Sequence, residues 1–541
     1  MSNKKFMTTI LIVVIALSSL LVFAGCSKQA ADDASTNKSG DGKYAKKFTY
    51  TINSMYAGQQ KDGNRLYDYI SKKFNIELEI RPINWGDWNE KVRIWVASGD
   101  MPEILRSDVQ ASTHSEFINW AKQGIFRELP DELLSKYPNL KRLNEELISD
   151  EYVKVDGKRY AWLASIQKAD YNNVSQMMFY YRKDWAKKVG IYHENNEYTF
   201  EEMKAMAKAF VEEDVSGTGK TIGIGGIGWA FPWFAGIYQV DPKWEGYIYK
   251  DGQYVWGPGE PEMVEGIKET KEWYESGILW KDQPIAQNND AGNKFVSGEL
   301  GIYFNNWTSY TLSEEIIKPF EAANPGLEAE DTIAPMFVKG PKGTPQEGKI
   351  LGIQGSDYWS ATMFRSDMSD EKLARWLEVY DWLASEEGRN YVHYGIKGED
   401  WKYDDAGNVV PLWPEKEDGT LQGPSDVKAD WAGVVNDSPK WEFENPGYSE
   451  YTRKLVAEVY DRLRQDDVYL KPTGKEEYKI NFFSGPMKNK YGTFTQKVND
   501  KITELIVSSS ADEIEKDWKD FVESMRPKVQ KVVDELNENL Q

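Results

Sequence analysis

The sequence predicts an α/β fold in which much of the sheet is parallel. Near the start of the folded part, residues 48–52 alternate as a strand does, and residues 64–74 have the spacing of a helix. A second strand pattern covers residues 76–80, and a helix should then carry residues 88–97. Strands and helices in this close succession build a parallel sheet with helices packed against it.

Helical patterns continue to the C-terminus. We predict further helices at residues 200–212, 262–276, 370–385 and 448–464. In residues 512–540 the apolar side chains recur at helical spacing, including Ile514, Trp518, Phe521, Val522 and Met525. This pattern predicts a long terminal helix with one apolar face.

The N-terminus has the pattern of an export signal. Lys4 and Lys5 precede an uncharged run, residues 9–23, composed mostly of Ile, Leu, Val and Ala. The run is shorter than the roughly 20 residues of a membrane span, and it ends at the small pair Ala24-Gly25. We therefore predict that residues 1–25 are a signal peptide, cleaved before Cys26.

Cys26 is the only cysteine of the chain. The segment from Phe23 to Cys26 resembles the lipobox of bacterial lipoproteins, in which the cysteine is diacylated and becomes the new N-terminus. That pattern usually has Leu where this chain has Phe23. The alternative is an uncleaved anchor helix with an incidental cysteine. Two acyl chains hold a protein at a membrane far better than one, at about 0.8 kcal/mol per buried methylene, so the expected location is the outer face of the cell membrane.

Composition excludes several kinds of function. With Cys26 carrying lipid, no thiol remains for a disulfide, a cysteine-ligated metal or a thiol nucleophile. The net charge of −21 becomes more negative when Lys4 and Lys5 leave with the signal, so the protein should repel phosphate backbones, and we expect no nucleic-acid ligand. After the lipidated cysteine, small and polar residues to about residue 45 predict a flexible tether, so that residues 26–45 form one segment.

Four segments resemble, in the right order, the family 1 extracellular solute-binding proteins of ABC importers. They are residues 97–104 (Ala-Ser-Gly-Asp-Met-Pro-Glu-Ile), 120–129, 180–191 with its Tyr-Tyr-Arg-Lys-Asp-Trp start, and 295–302 (Phe-Val-Ser-Gly-Glu-Leu-Gly-Ile). Residues 387–401 and 499–506 are similar to the large Gram-positive lipoproteins and alginate-binding proteins within that family. The resemblance covers nearly the whole mature chain.

The resemblance implies a two-lobed, periplasmic-binding-protein-like fold of type II. Its hinge-connected lobes would close on a sugar in the cleft between them and hand it to the subunits of a membrane permease. One lobe would take residues 46–170 with about 331–395, and the other residues 171–330 with about 396–541. We expect a monomer that binds an oligosaccharide and is not an enzyme.

Aromatic residues favour a sugar ligand. The chain has 21 Trp and 31 Tyr, many of them beside polar or turn residues, as in residues 83–88, 228–234, 304–307 and 357–359. Sugars present apolar C–H faces and polar edges, which suit aromatic rings beside amide, carboxylate and guanidinium groups. The alternative is that these rings pack the cores of the lobes.

The resemblance places binding residues in loops at the strand ends of both lobes. In the first lobe the candidates are Asn53, Tyr56, Trp85, Arg106, Ser107 and Asp108. In the second lobe they are Trp229, Phe231, Trp233, Asn306 and Trp307. Tyr358 and Trp359 complete the candidate set. Neutral and acidic oligosaccharides both remain possible, because Arg65, Arg81 and Arg106 could pair with uronate carboxylates or lie on the surface.

One feature of the alginate-binding relatives is altered. They carry a calcium loop similar to an EF-hand, and this chain has Ser216 and Thr218 where carboxylate or amide ligands should be. Calcium prefers six to eight oxygen ligands, largely anionic. We predict a turn without metal and no cofactor; the alternative is a weakly held ion at Glu212, Glu213 and Asp214.

Two other functions remain open. A surface-anchored glycosidase would need two carboxylates, and the 87 acidic residues make spacing uninformative. The histidines His114, His193 and His393 are far apart and form no zinc-hydrolase motif. A sugar sensor or adhesin would share fold and site with a transport protein, so the sequence does not separate them.

Overall fold

The computed structural model describes residues 43–55, 64–84, 87–107, 109, 113–145, 147, 149–166, 177–237, 246–287, 289–344, 346–352, 358–417, 420–423, 435–436, 444–470, 479–480 and 483–540. The chain divides into a short unit, Met1–Lys47, and a large compact unit, Phe48–Gln541. In the short unit the ammonium group of Lys43 lies 5.2 Å from the ring centroid of Tyr44. Every element below belongs to the large unit.

The strands are short, and most lie in two sheets. They are β1 (Phe48–Ser54), β2 (Ile76–Pro82), β3 (Ile104–Ser107), β4 (Lys154–Val155), β5 (Lys158–Arg159), β6 (Trp162–Ile166), β7 (Met177–Arg182), β8 (Glu197–Tyr198), β9 (Ile222–Gly226), β10 (Tyr247–Lys250), β11 (Gln253–Trp256), β12 (Leu300–Asn306), β13 (Ile333–Val338), β14 (Ile350–Gly352), β15 (Tyr358–Phe364), β16 (Trp401–Tyr403), β17 (Val409–Pro411), β18 (Val435–Asn436) and β19 (Val468–Leu470).

Helices connect these strands. They are α1 (Arg65–Phe74), α2 (Trp88–Ser98), α3 (His114–Lys122), α4 (Asp131–Leu134), α5 (Pro138–Glu145), α6 (Lys183–Lys188), α7 (Phe200–Glu212), α8 (Ala230–Gly236), α9 (Glu262–Ser276), α10 (Asp290–Val296), α11 (Lys318–Ala323), α12 (Ala329–Thr332), α13 (Asp370–Leu383), α14 (Glu386–Tyr394), α15 (Glu450–Leu463), α16 (Pro486–Tyr491), α17 (Thr495–Ser508) and α18 (Ile514–Leu540). A 3-10 turn covers Gln283–Ile285, and a π-helical segment covers Thr311–Ile317.

Local sequence explains where several helices begin. The side chain of Asn64 accepts hydrogen bonds from the main-chain N–H groups of Leu66 and Tyr67, which fixes the start of α1. Thr199 and Glu202 form a capping box at the start of α7, because each side chain bonds the main chain of the other residue. The helix predicted at residues 200–212 is confirmed with those bounds.

Each large sheet mixes parallel and antiparallel pairs. The first sheet has the order β18-β6-β15-β3-β1-β2, with β1 parallel to β2 and β3, and β15 antiparallel to β3 and β6. The second has the order β8-β13-β7-β12-β9, with β9 parallel to β12 and β7 antiparallel to β12 and β13. The predicted parallel pairing is confirmed for β1 and β2. Strand β3 is a further parallel partner of β1, whereas β15 enters that sheet from a distant part of the chain and runs the other way.

Helices cover both faces of each sheet. On one face of the first sheet α2 and α3 pack on Leu105 and Leu163, and on the other the ring of Tyr50 lies 5.1 Å from that of Trp376 in α13. Strand β12 of the second sheet divides its side chains between two cores: Phe304 packs with α7, α8 and α17, and Tyr303 with α10 and α15. This arrangement leaves the strand ends as the places where side chains can reach solvent.

Two later segments of the chain have distant partners. Strand β13 pairs with β7 and β8, so the chain stays in the second sheet up to Val338. Asp400 forms a two-pronged ion pair with Arg65 of α1, at 2.8 Å on both contacts. Trp413 donates to the main-chain oxygen of Tyr394 at 3.1 Å, which keeps this segment beside α14.

Candidate functional site

The carboxyl ends of β9 and β12 lie side by side at one edge of the second sheet. The register places Gly226 opposite Phe304, and the N–H of Ile227 donates to the oxygen of Phe304 at 2.9 Å, one step beyond the last pair. The N–H of Ala230 then donates to the oxygen of Ile227 at 2.7 Å and turns the chain into α8. Trp229 occupies the N-cap position of α8 and therefore lies at this edge.

A cluster of aromatic rings, the platform, is built on this edge from Phe179, Trp229, Trp233 and Phe304. Trp233 stacks on Phe304 with ring centroids 4.0 Å apart and an interplanar angle of 15°. Trp229 meets Phe304 edge-on at 6.1 Å, and Phe179 of β7 lies 5.0 Å from Phe304. Trp229 is 48% exposed although it belongs to this cluster. A half-exposed indole supported by buried rings can stack on the apolar face of a sugar.

Gly226 allows α8 to lie close to the strand end. A Cβ atom at this position would lie 2.7 Å from the Cβ of Ala230 and 3.3 Å from the ring of Phe234. Contacts under 3 Å between carbon atoms are repulsive, so a larger residue would push the first turn of α8 away from the sheet. The glycine thus keeps Trp229 and Trp233 over Phe304.

Asn306 ends β12 at the same edge. Its main-chain oxygen accepts a hydrogen bond from the hydroxyl of Tyr180 at 2.5 Å, and its side chain is half-buried. Burial raises the pKa of Tyr180 well above its ordinary value, so the hydroxyl remains a neutral donor. The structure therefore brings Asn306, Trp229 and Trp233 to one edge of the second sheet.

In the first sheet the structure brings Asn53, Arg106 and Ser107 together, and all three are buried. The side-chain amide of Asn53 donates to the main-chain oxygen of Arg106 at 2.8 Å and accepts from its N–H at 2.7 Å. Strands β1 and β3 pair at Ile52 and Ile104. One residue further along β1, the side chain of Asn53 bonds β3 in place of the main chain. Arg106 also donates through Nε to the hydroxyl of Ser360 at 2.9 Å. These hydrogen bonds therefore join β1, β3 and β15 to one another.

Three predicted ligand residues lie inside the cores. Trp307 is fully buried with its ring 4.2 Å from that of Tyr460 in α15, and Phe231 packs edge-on against Tyr274. Tyr358 is buried and donates through its hydroxyl to the main-chain oxygen of Val109. Enclosed side chains of this kind do not reach a ligand from these positions. A residue that follows a strand is as often turned inward as outward, which the local sequence does not distinguish.

Several predicted residues fall outside what the structure describes. Cys26, Tyr56, Trp85 and Asp108 lie outside the described residues, and Trp359 belongs to β15 without a described side chain.

The sequence did not single out Phe179 or Gln283 as residues of this edge, and it noted Phe304 only within the aromatic segment 304–307. Phe304 and Phe179 lie in strands that are buried almost throughout, so their pairing across the strands became visible only with the strand register. Gln283 lies in a 3-10 turn and reaches Gly226, 57 positions away, through its side chain. Its short local segment contains no pattern that marks such a contact.

The three arginines considered for a uronate have acceptors within the protein. Arg65 pairs with Asp400 and lies 3.1 Å from a carboxylate oxygen of Glu399, and these hydrogen bonds raise its pKa above the ordinary value. Arg81 lies 3.1 Å from a carboxylate oxygen of Asp100. Arg106 is buried and donates through Nε to the hydroxyl of Ser360.

In the segment that corresponds to the relatives' calcium loop, hydroxyl groups bond to one another and to the carboxylate of Asp214. The carboxylate of Asp214 accepts from the hydroxyl of Thr221 at 2.7 Å and from the N–H of Gly219 at 2.8 Å, and these bonds lower its pKa. The hydroxyl of Ser216 lies 2.8 Å from that of Thr218 and 2.7 Å from that of Thr221. Among the described residues no group of three or more His, Cys, Asp or Glu side chains is arranged to hold a metal ion.

The histidines occupy separate elements. His114 begins α3 and His393 belongs to α14, and both are buried. His193 precedes β8, where its Nδ1 lies 3.0 Å from the main-chain oxygen of Glu197.

Over the ranges that the structure describes, no helix is both long enough and apolar enough to span a bilayer.

Comparison with known proteins gives consistent relatives. Residues 65–376, more than half of the chain, match the family of bacterial extracellular solute-binding proteins. A curated relative, the fructooligosaccharide ABC transporter substrate-binding protein FusA of Streptococcus pneumoniae serotype 4, is 25% identical over 344 residues. That alignment covers 58% of this chain and 61% of FusA, which is less than two thirds of the relative's length.

Solved structures have the same fold. The alginate-binding protein AlgQ2 without calcium ion superposes with a TM-score of 0.65 at 16% identity, covering 91% of this chain and 98% of that one. An EF-hand mutant of S. pneumoniae FusA in complex with fructo-nystose superposes with a TM-score of 0.64 at 18% identity, covering 91% and 99%. The expected two-lobed α/β fold is confirmed, and the chain belongs to the family of bacterial extracellular solute-binding proteins.

Proposed function

We propose that this chain is the substrate-binding lipoprotein of an ABC importer, and that it captures an oligosaccharide and delivers it to the subunits of a membrane permease. The observation that carries the proposal is Trp229, a half-exposed indole held edge-on against Phe304 at the carboxyl edge of the second sheet. Sugar-binding sites combine such rings with a few polar groups, and Asn306 supplies an amide at the same edge.

The family and its relatives support this reading. A solute-binding protein lacks a reaction to catalyse and needs only a surface that holds its ligand until transfer. FusA, with which this chain shares its fold, is the substrate-binding protein of a fructooligosaccharide ABC transporter, and the structure of its EF-hand mutant contains fructo-nystose.

We favour a neutral oligosaccharide over a uronate polymer. A carboxylate-bearing sugar would need arginine or lysine groups available to pair with it. Arg65 and Arg81 are each within 3.1 Å of acidic side chains, and Arg106 is bonded to Ser360. Trp229, Trp233 and Asn306 would then provide the principal ligand contacts of the second lobe, with Tyr56, Trp85, Asp108 and Trp359 as proposed contacts from the remaining candidate loops.

The test is a thermal-shift screen with the purified mature protein against neutral fructo-, gluco- and galacto-oligosaccharides and alginate fragments. A ligand that binds only the folded state at 100 times its Kd stabilises that state by about 2.7 kcal/mol. We expect a shift with at least one neutral series and none with alginate. A shift with alginate alone would overturn the neutral assignment, and release of reducing ends from a bound glycan would indicate an enzyme instead.

Closure of the lobes on the ligand is part of the proposal. A protein that gains ligand contacts only in a closed state shifts toward that state when the ligand is added. Small-angle scattering should therefore give a smaller radius of gyration at saturating ligand. An unchanged radius would contradict closure while leaving binding intact.

Anchoring through lipid on Cys26 completes the proposal. The chain would be a monomer held at the outer face of the cell membrane by two acyl chains and spaced from it by residues 27–45. Mass spectrometry of the mature N-terminus should find diacylated Cys26, and Cys26→Ser should release the protein from membranes. Retention of Cys26→Ser through an intact residue 1–25 segment would instead indicate an uncleaved anchor.

A further inference from the structure

Gln283 is a fully buried polar residue beside the platform. It is 0% exposed, and it begins the 3-10 turn Gln283–Ile285, whereas the exposed part of that turn is Ile285. A buried primary amide carries two N–H donors and an oxygen acceptor, each of which needs a partner away from water. The identity of those partners therefore indicates what the residue holds.

The partners of Gln283 are main-chain groups at the end of β9. Its Oε1 accepts from the N–H of Gly226 at 2.8 Å, and its Nε2 donates to the oxygen of Gly226 at 2.9 Å and to that of Ile227 at 3.5 Å. One side chain thus satisfies both polar groups of Gly226. The orientation of the amide is determined, because only the oxygen can accept from an N–H.

This contact extends a run of main-chain pairing along the free side of β9. The N–H of Ile224 donates to the oxygen of Ile278 at 2.8 Å, and the N–H of Trp280 donates to the oxygen of Ile224 at 2.9 Å. Two residues further along β9, at Gly226, the side chain of Gln283 makes the hydrogen bonds that a neighbouring strand would otherwise make. The main chain at Gly226 and Ile227 is thereby fixed from both sides, since Phe304 holds the other side.

Trp229 lies directly after the segment that Gln283 fixes. The oxygen of Ile227 is shared between Nε2 of Gln283 and the N–H of Ala230, so the turn that contains Trp229 begins at an atom that Gln283 contacts. Trp233 is one helical turn further on and stacks on Phe304. A change in the main chain at Gly226 would consequently tilt α8 and move both indoles relative to Phe304.

We propose that Gln283 is a positioning residue for ligand binding: its amide fixes the end of β9 so that Trp229 and Trp233 are presented on Phe304. The inference rests on the proposed sugar-binding function. Gln283 acts without touching the ligand, and its contribution depends on having a donor and an acceptor in the same group.

The substitution Gln283→Glu separates this role from simple packing. In that variant the protonated carboxyl group can accept from the N–H of Gly226 and donate to its oxygen, as the amide does, whereas the ionised carboxylate has no donor and repels that oxygen. Burial raises the pKa of a carboxyl, so the protonated form is favoured at pH 5 and the ionised form becomes more populated as the pH rises to 8. The adjoining charged side chains, Lys281 and Asp282, are exposed and are common to all variants; Lys281 bonds the main chain of Tyr274.

The experiment measures oligosaccharide affinity by calorimetry at pH 5 and pH 8 for wild type, Gln283→Glu, Gln283→Met and the exposed control Gln287→Glu. We expect Gln283→Glu to bind within about threefold of wild type at pH 5 and at least about tenfold more weakly at pH 8, as for loss of a buried hydrogen-bonded group. Gln283→Met should be weakened at both values, and Gln287→Glu should follow wild type. Wild-type affinity of Gln283→Glu at both pH values, together with wild-type affinity of Gln283→Met, would overturn the inference.

A measurement without ligand distinguishes this failure from failure of the proposed function. Near-ultraviolet circular dichroism reports the packing of the aromatic side chains, including Trp233 on Phe304, and Gln283→Glu should change its signal between pH 5 and pH 8 while Gln287→Glu does not. A wild type that binds no glycan but shows this spectral difference in its Gln283→Glu variant would reject the sugar-binding function and keep the positioning role. If Gln283→Met does not fold, the affinity of Gln283→Glu at pH 5 is compared with its affinity at pH 8. A loss that wild type does not show supports the positioning role.

Discussion

The indole of Trp233 lies flat on the ring of Phe304, with centroids 4.0 Å apart and planes 15° from parallel. This contact joins α8 to the end of β12 and leaves the neighbouring Trp229 half-exposed against the edge of the same ring. A stacked pair, of which Phe304 is buried and Trp233 partly buried, thus carries an accessible indole. The rigidity of the pair is what makes the accessible indole useful, because an ordered side chain loses less entropy when a ligand binds.

Trp229→Ala should weaken oligosaccharide binding with little effect on folding. An aromatic anchor that contacts a ligand typically contributes more than about 1 kcal/mol to binding when it is truncated. Because Trp229 is already half in solvent, its removal opens no closed cavity, and the melting temperature should change little. Isothermal calorimetry with the ligand found by the glycan screen measures the first effect, and thermal unfolding measures the second.

The matched control for Trp229 is Tyr249→Ala. Tyr249 is also an exposed aromatic residue, but it lies on the small β10–β11 hairpin and packs on Tyr254 at 5.0 Å. This variant should bind ligand as wild type does. If the two variants lose affinity equally, or neither loses any, Trp229 is not a ligand contact.

Trp307→Ala should instead destabilise the protein. Trp307 is fully buried and meets Tyr460 at 4.2 Å, so truncation leaves a cavity and costs about 3–5 kcal/mol of unfolding free energy. Trp307→Phe keeps most of the packing and should bind ligand with unchanged affinity. Chemical denaturation of both variants and calorimetry on Trp307→Phe check this. A Trp307→Phe variant that is stable yet loses binding would restore Trp307 to the ligand site.

The contrast between these tryptophans marks how far the sequence predicts the site. Trp229 and Trp307 both follow strands of the second sheet, β9 and β12. Their exposure differs because α15 brings Tyr460, more than 150 residues away in sequence, over Trp307. Elements with strong local signals, such as α7 with its Thr199–Glu202 capping box, were predictable with their bounds. Positions decided by long-range partners, including β13, β15 and the segment around Asp400, were not.

Gly266→Ala should disturb the platform by displacing α8. A Cβ atom on Gly266 of α9 would lie 1.9 Å from the main-chain oxygen of Ala235 in α8, a contact that only movement of a helix can relieve. Overpacking of this kind typically costs about 1–3 kcal/mol. Since α8 carries Trp233, ligand affinity should fall together with stability, as denaturation and calorimetry on the same preparation would detect.

Gly259→Ala provides the comparison for Gly266. Its added Cβ would lie 3.8 Å from the ring of Trp256, an ordinary contact distance, and the backbone there is compatible with alanine. This variant should retain wild-type stability and affinity. Wild-type behaviour of Gly266→Ala as well would mean that α8 and α9 separate without affecting the site.

The Asp214 loop should be insensitive to chelators. Its carboxylate is bonded to the Thr221 hydroxyl and the Gly219 N–H, and the Ser216 and Thr218 hydroxyls bond each other, so the oxygens that a cation would need are already engaged. We expect the same melting temperature in EDTA and in millimolar calcium. A rise in calcium would contradict a metal-free turn and favour the weak-ion alternative.

The same loop should make a pH-dependent contribution to stability. The Thr221 hydroxyl and Gly219 N–H lower the pKa of Asp214, so the folded state binds its proton less readily than the unfolded chain. The stabilisation is therefore present above the ordinary carboxyl pKa of about 4 and is lost as pH falls through the lowered value. Asp214→Asn keeps the left-handed backbone that asparagine tolerates but removes this charge, so its deficit in melting temperature should be larger at pH 7 than at about pH 3. A deficit of Asp214→Asn that is equal at both pH values would mean that shape rather than charge holds the turn.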